Sequence, residues 1–286
     1  MNRMALEWRV QRPAGRLGVA RRVPSIRAGH YIVTMGTAIF LLSISALLVL
    51  WDFFLKATSV ICRPVARSFL NARVSHMAAH LMRLARVYGH LSVELDDRLT
   101  IGLPNPCLVC ANHQSMADIA VLMAAFKSHS LRFVAKKELT RGFPAVSEVL
   151  RIQQHALIDR HGGYRSTVKA LATLGQRAKH GLSPVVFAEG TRSRTGEVTR
   201  FHTGGVRSIL EITPLPIVGV AIDGGYHFAS MTNLLKNLRG ITYRIGFVGV
   251  FDPGTTKRSI GDAVEAVQDS VAQQINEWHS LTAVQG

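Results

Sequence analysis

The run Cys110–Leu122, CANHQSMADIAVL, sets a histidine at the end of one apolar stretch and an aspartate five residues on, where another begins. An imidazole with one nitrogen held by a carboxylate keeps the other free to take a proton near neutral pH, which is general-base chemistry. Spacing limits how His113 and Asp118 can meet. On one ideal helix, residues five apart diverge by about 140°. The two side chains therefore face each other only if His113 lies in a turn before the helix and Asp118 in its first turn. The residues offer that arrangement: CLVCA has a strand pattern, Asn112-His113-Gln114 turns, and Ser115 is an N-cap for a helix from Met116. They also fit a plain capping box, in which Asp118 accepts only the Ser115 backbone N–H. The chain has no G-x-S-x-G elbow to supply a protein nucleophile, so a dyad here would activate a hydroxyl of a bound substrate.

Three other strand ends carry charge. In PVVFAEGTRSRTGE, Pro184 to Glu197, a buried strand is expected to emerge at Glu189 and turn at Gly190, followed by Thr191, Arg192, Ser193 and Arg194. A glycine beside hydroxyls and a guanidinium can surround a tetrahedral anion, with Arg192 binding two oxygens at once. A solvated basic loop has the same composition. HALIDRHGGYRS ends a strand with Asp159-Arg160, and RFVAKKEL ends one with Lys136 and Lys137. In an open α/β sheet, strand C-termini gather along one edge, where sites form.

Those ends need a sheet to hold them. From Ser92 onward, short β-rich runs alternate with helical ones. Strands are expected at 92–95, 107–111, 132–135, 156–158, 184–188, 215–222 and 243–251. Helices are expected at about 116–127, 144–151, 164–180, 204–212 and 260–281. Alternation of this kind predicts an α/β fold, an αβα sandwich around a mostly parallel or mixed sheet. Several strands are apolar throughout, as strands covered on both faces are. Cys107 and Cys110 fall inside one of them and are expected to be core residues, with no second pair to complete a zinc site. Free thiols of this kind fit a reducing, cytoplasm-facing location.

The first 90 residues differ in kind. They hold 13 of the 34 Lys/Arg and only Glu7 and Asp52 of the 18 acids, most of the net +16. Residues 1–30 are expected to be a disordered basic arm. Tyr31–Trp51 runs 21 residues without a charge, about one hydrocarbon thickness as a helix. Its basic flank is too long, and its cleavage signals too poor, for a removed leader. Between Pro64 and Tyr88, Val74, Met77, Ala78, Leu81, Leu84, Ala85 and Tyr88 recur at helical spacing opposite Arg73, His76, His80 and Arg83. This pattern predicts a basic amphipathic helix lying in a headgroup layer. His76 and His80 stand at metal-ligand spacing without a third ligand, as a polar stripe would. Residues 31–90 are thus expected to be membrane-associated helices, followed by a catalytic domain over 91–286. Basic charge around an apolar segment points to anionic lipids rather than nucleic acid, since no zinc-finger or glycine–aromatic RNA-binding pattern is present.

Taken in order, NHQSMAD, FVAKKEL, LIDR, FAEGTRS and PLPIVGVAI resemble the blocks of the glycerolipid acyltransferases, in particular the 1-acylglycerol-3-phosphate acyltransferases, over about residues 90–225. The resemblance implies an α/β sandwich tethered by an N-terminal helical motif. His113 would be the general base toward the acceptor's hydroxyl, with Asp118 orienting it. Lys136, Arg160 and Arg192 would hold the acceptor phosphate, and Glu189, Gly190 and Thr191 would shape that substrate pocket. The acyl group would come from a thioester on coenzyme A or acyl carrier protein and pass to a lysophospholipid. No metal, further cofactor or covalent acyl-enzyme is implied. Apart from the resemblance, arginines before the apolar segment and Arg63, Arg67 and Arg73 beyond it give cytoplasmic signals on both sides, so the catalytic domain is expected to face the cytoplasm, held by a helix pair dipping into one leaflet. Three departures stand out: Ala188 and Gly219 where prolines are common, and His202 where a lysine is common. The last bears on the acceptor, so a lyso-ornithine lipid is an alternative to lysophosphatidate. A non-catalytic, lipid-binding protein is the other alternative.

Overall fold

The computed structural model describes residues 30–88, 90–159, 163–228 and 240–284. The arm expected over 1–30 thus lies outside them apart from His30, as does Arg160.

The seven expected strands form one sheet: β1 (Ser92–Leu95), β2 (Leu108–Ala111), β3 (Ser130–Lys136), β4 (Ala156–Ile158), β5 (Leu182–Phe187), β6 (Ile217–Asp223) and β7 (Thr242–Phe251). Their spatial order is β1-β7-β6-β2-β5-β3-β4. Every pairing is parallel except β6 with β7, a ladder broken by a bulge at Gly219/Val220. Five strands, β6 through β4, therefore end on the same edge. β7 runs the other way and brings its first residues there.

Side-chain alternation along β2 shows why the sheet is covered twice. Cys107, Val109 and Ala111 pack into one apolar cluster, while Leu108 and Cys110 pack into the other. The CxxC thus sends its two sulfurs to opposite faces. Both thiols are free, and burial pushes each up to about 12. On the first face lie α2 (Arg63–Tyr88) and α3 (Ala117–Ala125). On the second lie α5 (Gly163–Ala178), α6 (Thr203–Leu210) and a final helix, α7 (Lys257–Val284). In α7, Ile260, Val264, Val267, Val271, Ile275 and Trp278 form the inward stripe, at the three-to-four spacing of an amphipathic helix.

The chain leaves β2 over the first face through α3, and leaves β5 over the second through α6. Loops after two adjacent strands that depart in opposite directions open a crevice between them. Asn112 keeps the β2 side of that crevice in place. Its amide donates to Ile222 O and accepts from Ile222 N, both at 2.8 Å, and it is fully buried. Asn112→Ala leaves that N–H and C=O without partners in a dry interior. The expected cost is about 3 kcal/mol, read as a lower denaturation midpoint of the purified protein.

The N-terminal helices differ from expectation in two respects. α1 (His30–Ile61) does not stop at Trp51. Asp52, the first charge, pairs with Lys56 one turn on at 2.7 Å and accepts the Ala145 N–H at 3.0 Å, so it does not break the helix. Ala38–Ile61 is long and apolar enough to cross a membrane. In α2 the apolar stripe is turned inward: Ala78 and Ala85 are buried in the sheet-facing core, and Val74, Met82 and Leu84 pack against it. Arg73, His76, His80 and Arg83 are exposed on the other side. The helix is amphipathic as expected, but most of its apolar face packs on the protein's own core, leaving Tyr88 of the expected stripe exposed at the end.

α1 also lies along the domain. Phe40 is buried in the core that faces α2 and α3, and Leu55 is buried against Leu70 and Ile152, the latter from α4 (Val146–Ile152). The outward side of α1, including Leu42, Val49, Leu50 and Phe53, is exposed.

Candidate active site

The helix after β2 starts at Ala117, one residue later than expected, so Met116 and not Ser115 is its N-cap, and the Ser115 hydroxyl accepts the Ala117 N–H at 3.1 Å from just before it. His113 is left in the preceding turn, and Asp118 lies in the first turn. Their side chains meet: His113 Nδ1 stands 2.7 Å from Asp118 Oδ2. The capping alternative is realised as well. The same Oδ2 accepts the N–H groups of Gln114 and Ser115 at 2.7 and 3.0 Å, and Oδ1 accepts the Ser115 hydroxyl at 3.1 Å. One carboxylate thus caps its own helix and steadies the imidazole. Asp118 is fully buried, whereas 15% of the His113 side chain is exposed. With Nδ1 taken by the acid, Nε2 is the nitrogen available to a substrate. The ring lies flat on Phe187, the last residue of β5, at 4.0 Å and 12°, so its plane is fixed on a face as well as an edge.

Backbone hydrogen bonds join this turn to the loop after β5. The His113 N–H donates to Glu189 Oε1 at 3.0 Å, and the Ser193 N–H donates to the His113 carbonyl at 2.7 Å. Between these two anchors Gly190, Thr191 and Arg192 are exposed. Gly190 makes the turn at φ +68, and a Cβ there would approach the His202 ring to 3.6 Å. His202, the departure noted in the sequence, therefore stands beside this loop, tied by its N–H to Ala188 O at 2.7 Å.

Glu189, expected to shape the substrate pocket with Gly190 and Thr191, stands at the start of that loop. It is buried, and its second oxygen accepts the Thr199 hydroxyl at 2.6 Å. Burial raises its pKa, against the hydrogen bonds from Thr199 and His113. With both oxygens engaged by the protein, it anchors the loop to His113 and is not a contact for a bound anion. Lys136 is exposed at the end of β3, on the neighbouring strand of the same edge. Beyond it, Lys137 pairs with Asp159 after β4 at 3.2 Å.

Two contributors were not anticipated. Gln114 accepts the Gly225 N–H at 2.9 Å, linking the His113 turn to the chain after β6. Tyr243, the second residue of β7, donates its hydroxyl to Asp118 Oδ1. The signal for Tyr243 was present in TYRIGFVGVF: a tyrosine at an inward position needs a partner for its hydroxyl. What could not be read is that β7 runs back toward the dyad.

The edge therefore carries an oriented base facing solvent beside a loop exposing a guanidinium and a hydroxyl. This is the equipment for removing a proton from a hydroxyl on a molecule that also carries an anionic group. Residues 92–223 match the family model described as Acyltransferase. Among curated relatives, a probable 1-acyl-sn-glycerol-3-phosphate acyltransferase of Mycoplasma genitalium is 35% identical over 122 residues, 40% of this chain and 44% of that one. The 1-acyl-sn-glycerol-3-phosphate acyltransferase of Cocos nucifera is 28% identical over 167 residues, 54% of this chain and 52% of that one. The chain spans about half the length of these two relatives. The crystal structure of the 1-acyl-sn-glycerophosphate acyltransferase PlsC from Thermotoga maritima superposes with a TM-score of 0.65 over 86% of this chain and 95% of that one, at 22% identity. The two share a fold.

Proposed function

We propose that this chain is a membrane-anchored acyltransferase that moves a fatty-acyl group from a thioester, on coenzyme A or acyl carrier protein, to the free hydroxyl of 1-acylglycerol-3-phosphate, giving phosphatidic acid. The observation that carries this is the His113–Asp118 pair, joined by main-chain hydrogen bonds to the loop that exposes Arg192. In the reaction, Nε2 of His113 takes the hydroxyl proton as the oxygen bonds to the thioester carbonyl carbon. The C–S bond then breaks, and the imidazolium returns the proton to the departing thiolate. Asp118 fixes the tautomer and stabilises the imidazolium that forms. Arg192 and Lys136 hold the acceptor phosphate, and Arg160, outside the described residues, is assigned to it by the sequence resemblance alone. The printed names of the curated relatives support the same acceptor.

The anchor is α1. Because Phe40 and Leu55 are buried against the domain and Asp52 bonds Ala145, the helix lies beside the domain and leaves one long apolar side outward. That geometry favours insertion into the leaflet nearest the domain over a full crossing. With the helix in the cytoplasmic leaflet, the site would face the side where acyl thioesters are made, and the exposed basic face of α2 would lie toward anionic headgroups.

His202 beside Gly190 is the observation that keeps a different headgroup in view. The test is a panel of acceptors offered to purified protein with labelled acyl-CoA and, separately, with labelled acyl carrier protein, scored by product mass. Phosphatidic acid from lysophosphatidate is the expected dominant product. Preferential acylation of lyso-ornithine lipid would reassign the acceptor, and no turnover of any thioester, on coenzyme A or carrier protein, would reduce the chain to a lipid-binding protein.

A further inference from the structure

The carboxylate that steadies His113 is itself held by a residue outside the segment the family model matches. Tyr243 is fully buried, and its hydroxyl reaches Asp118 Oδ1. The Ser115 hydroxyl, 3.5 Å from that of Tyr243, donates to the same oxygen. The two are brought together because β7 runs antiparallel to β6 and starts at the edge where β2 and β5 finish. Gly225, just after β6, makes room for the contact. A Cβ there would stand 3.1 Å from Asp118 Oδ1, from Tyr243 OH and from Gln114 Cβ. Burial, with the Asp118 charge beside it, holds the phenol well above its ordinary range, so it remains a donor.

The oxygens of Asp118 thus have separate partners. Oδ2 serves the imidazole and two N–H groups, and Oδ1 is shared by two hydroxyls. A carboxylate held less firmly at Oδ1, by the Ser115 hydroxyl alone, has more freedom about its Cβ–Cγ bond, and rotation would move Oδ2 off the line to Nδ1. Donors on Oδ1 also draw charge away from the oxygen that faces the ring.

We propose that Tyr243 is a positioning residue of the acyl-transfer site, fixing the rotation of the Asp118 carboxylate and setting how strongly it draws on the His113 proton. This rests on His113 being the base. The other titratable groups around the dyad are Glu189 after β5, Asp223 at the end of β6 with His279 of α7 at 3.1 Å, and Tyr226 in the turn beyond. Tyr243→Phe leaves all of them in place.

The experiment compares wild type, Tyr243→Phe and His113→Ala as full chains in the same detergent, assayed with acyl-CoA and lysophosphatidate across pH. Tyr243→Phe is expected to lower kcat about tenfold, the loss of one hydrogen bond to a charged acceptor, with KM for both substrates within about twofold of wild type. The acid limb of kcat/KM should move up by about half a pH unit, because a carboxylate short of one donor favours the imidazolium. Loss of packing alone would lower the melting temperature without moving that limb. An inactive His113→Ala beside a Tyr243→Phe with wild-type kcat and an unmoved limb overturns the role of Tyr243. Activity retained in His113→Ala overturns the base assignment instead. Should Tyr243→Phe fail to fold, Ser115→Ala removes the other hydroxyl on the same oxygen and must shift the limb in the same direction; an unmoved limb there overturns the proposal too.

Discussion

His113→Ala is expected to abolish nearly all acyl transfer, by about 10³-fold or more in kcat, with the protein still folded. The size follows from removing the proton acceptor at the step where the attacking oxygen must lose its proton; positioned acid–base groups contribute about 10²- to 10⁴-fold. Retention of the fold follows from what the ring touches. Its contacts are Phe187 and one oxygen of Asp118, and that carboxylate still accepts from Gln114 N, Ser115 N and the hydroxyls of Ser115 and Tyr243. Nothing buried is left without a partner. KM for lysophosphatidate should change little, since the phosphate is assigned to Arg192 in the loop after β5 and Lys136 at the end of β3. Single-turnover kinetics with a labelled thioester and a thermal melt on the same sample check both halves. A variant that transfers acyl groups at the wild-type rate would remove the chemistry proposed for this edge.

Local chemistry was legible in the residues; direction in space was not. The turn at Asn112-His113-Gln114 before the helix was readable because the i to i+5 angle on a helix forbids the dyad otherwise, and the 2.7 Å contact has that geometry. The two-sided sheet was readable from uninterrupted apolar strands such as PVVFA. Three features turned on partners remote in sequence. Glu189 looks like part of a binding loop from its neighbours, but its oxygens go to His113 N and Thr199. The apolar stripe of α2 looks the same whether it meets lipid or a core, and here α3 and the sheet take most of it. Asp52 looks like the end of an apolar helix until Lys56 and Ala145 are seen to neutralise it. Periodicity says that a face will be buried; only the packed chain says against what.

Asp118 allows the charge on the dyad to be separated from the scaffold it supports, and two substitutions are expected to do so. In Asp118→Asn the amide oxygen can hold the Oδ2 position and still accept from His113 Nδ1, Gln114 N and Ser115 N. The new NH₂ at the Oδ1 position meets two hydroxyls, Ser115 and Tyr243, both able to rotate and accept. The fold should therefore survive, within about 1–2 kcal/mol of wild type. The negative charge that stabilises the imidazolium is gone, however, and kcat should fall by about 10²- to 10³-fold. In Asp118→Ala the same donors lose their acceptor at a site with no exposure to water. Each stranded group costs about 1–3 kcal/mol, and relaxation recovers only part, so a loss of about 4 kcal/mol or more is expected. That is a large share of a typical domain's stability. The contrast is the test: Asn folded and slow, Ala barely folded. Wild-type turnover in Asp118→Asn would show that the charge does not act on the reaction, and a wild-type melting point in Asp118→Ala would show that the carboxylate does not hold the turn.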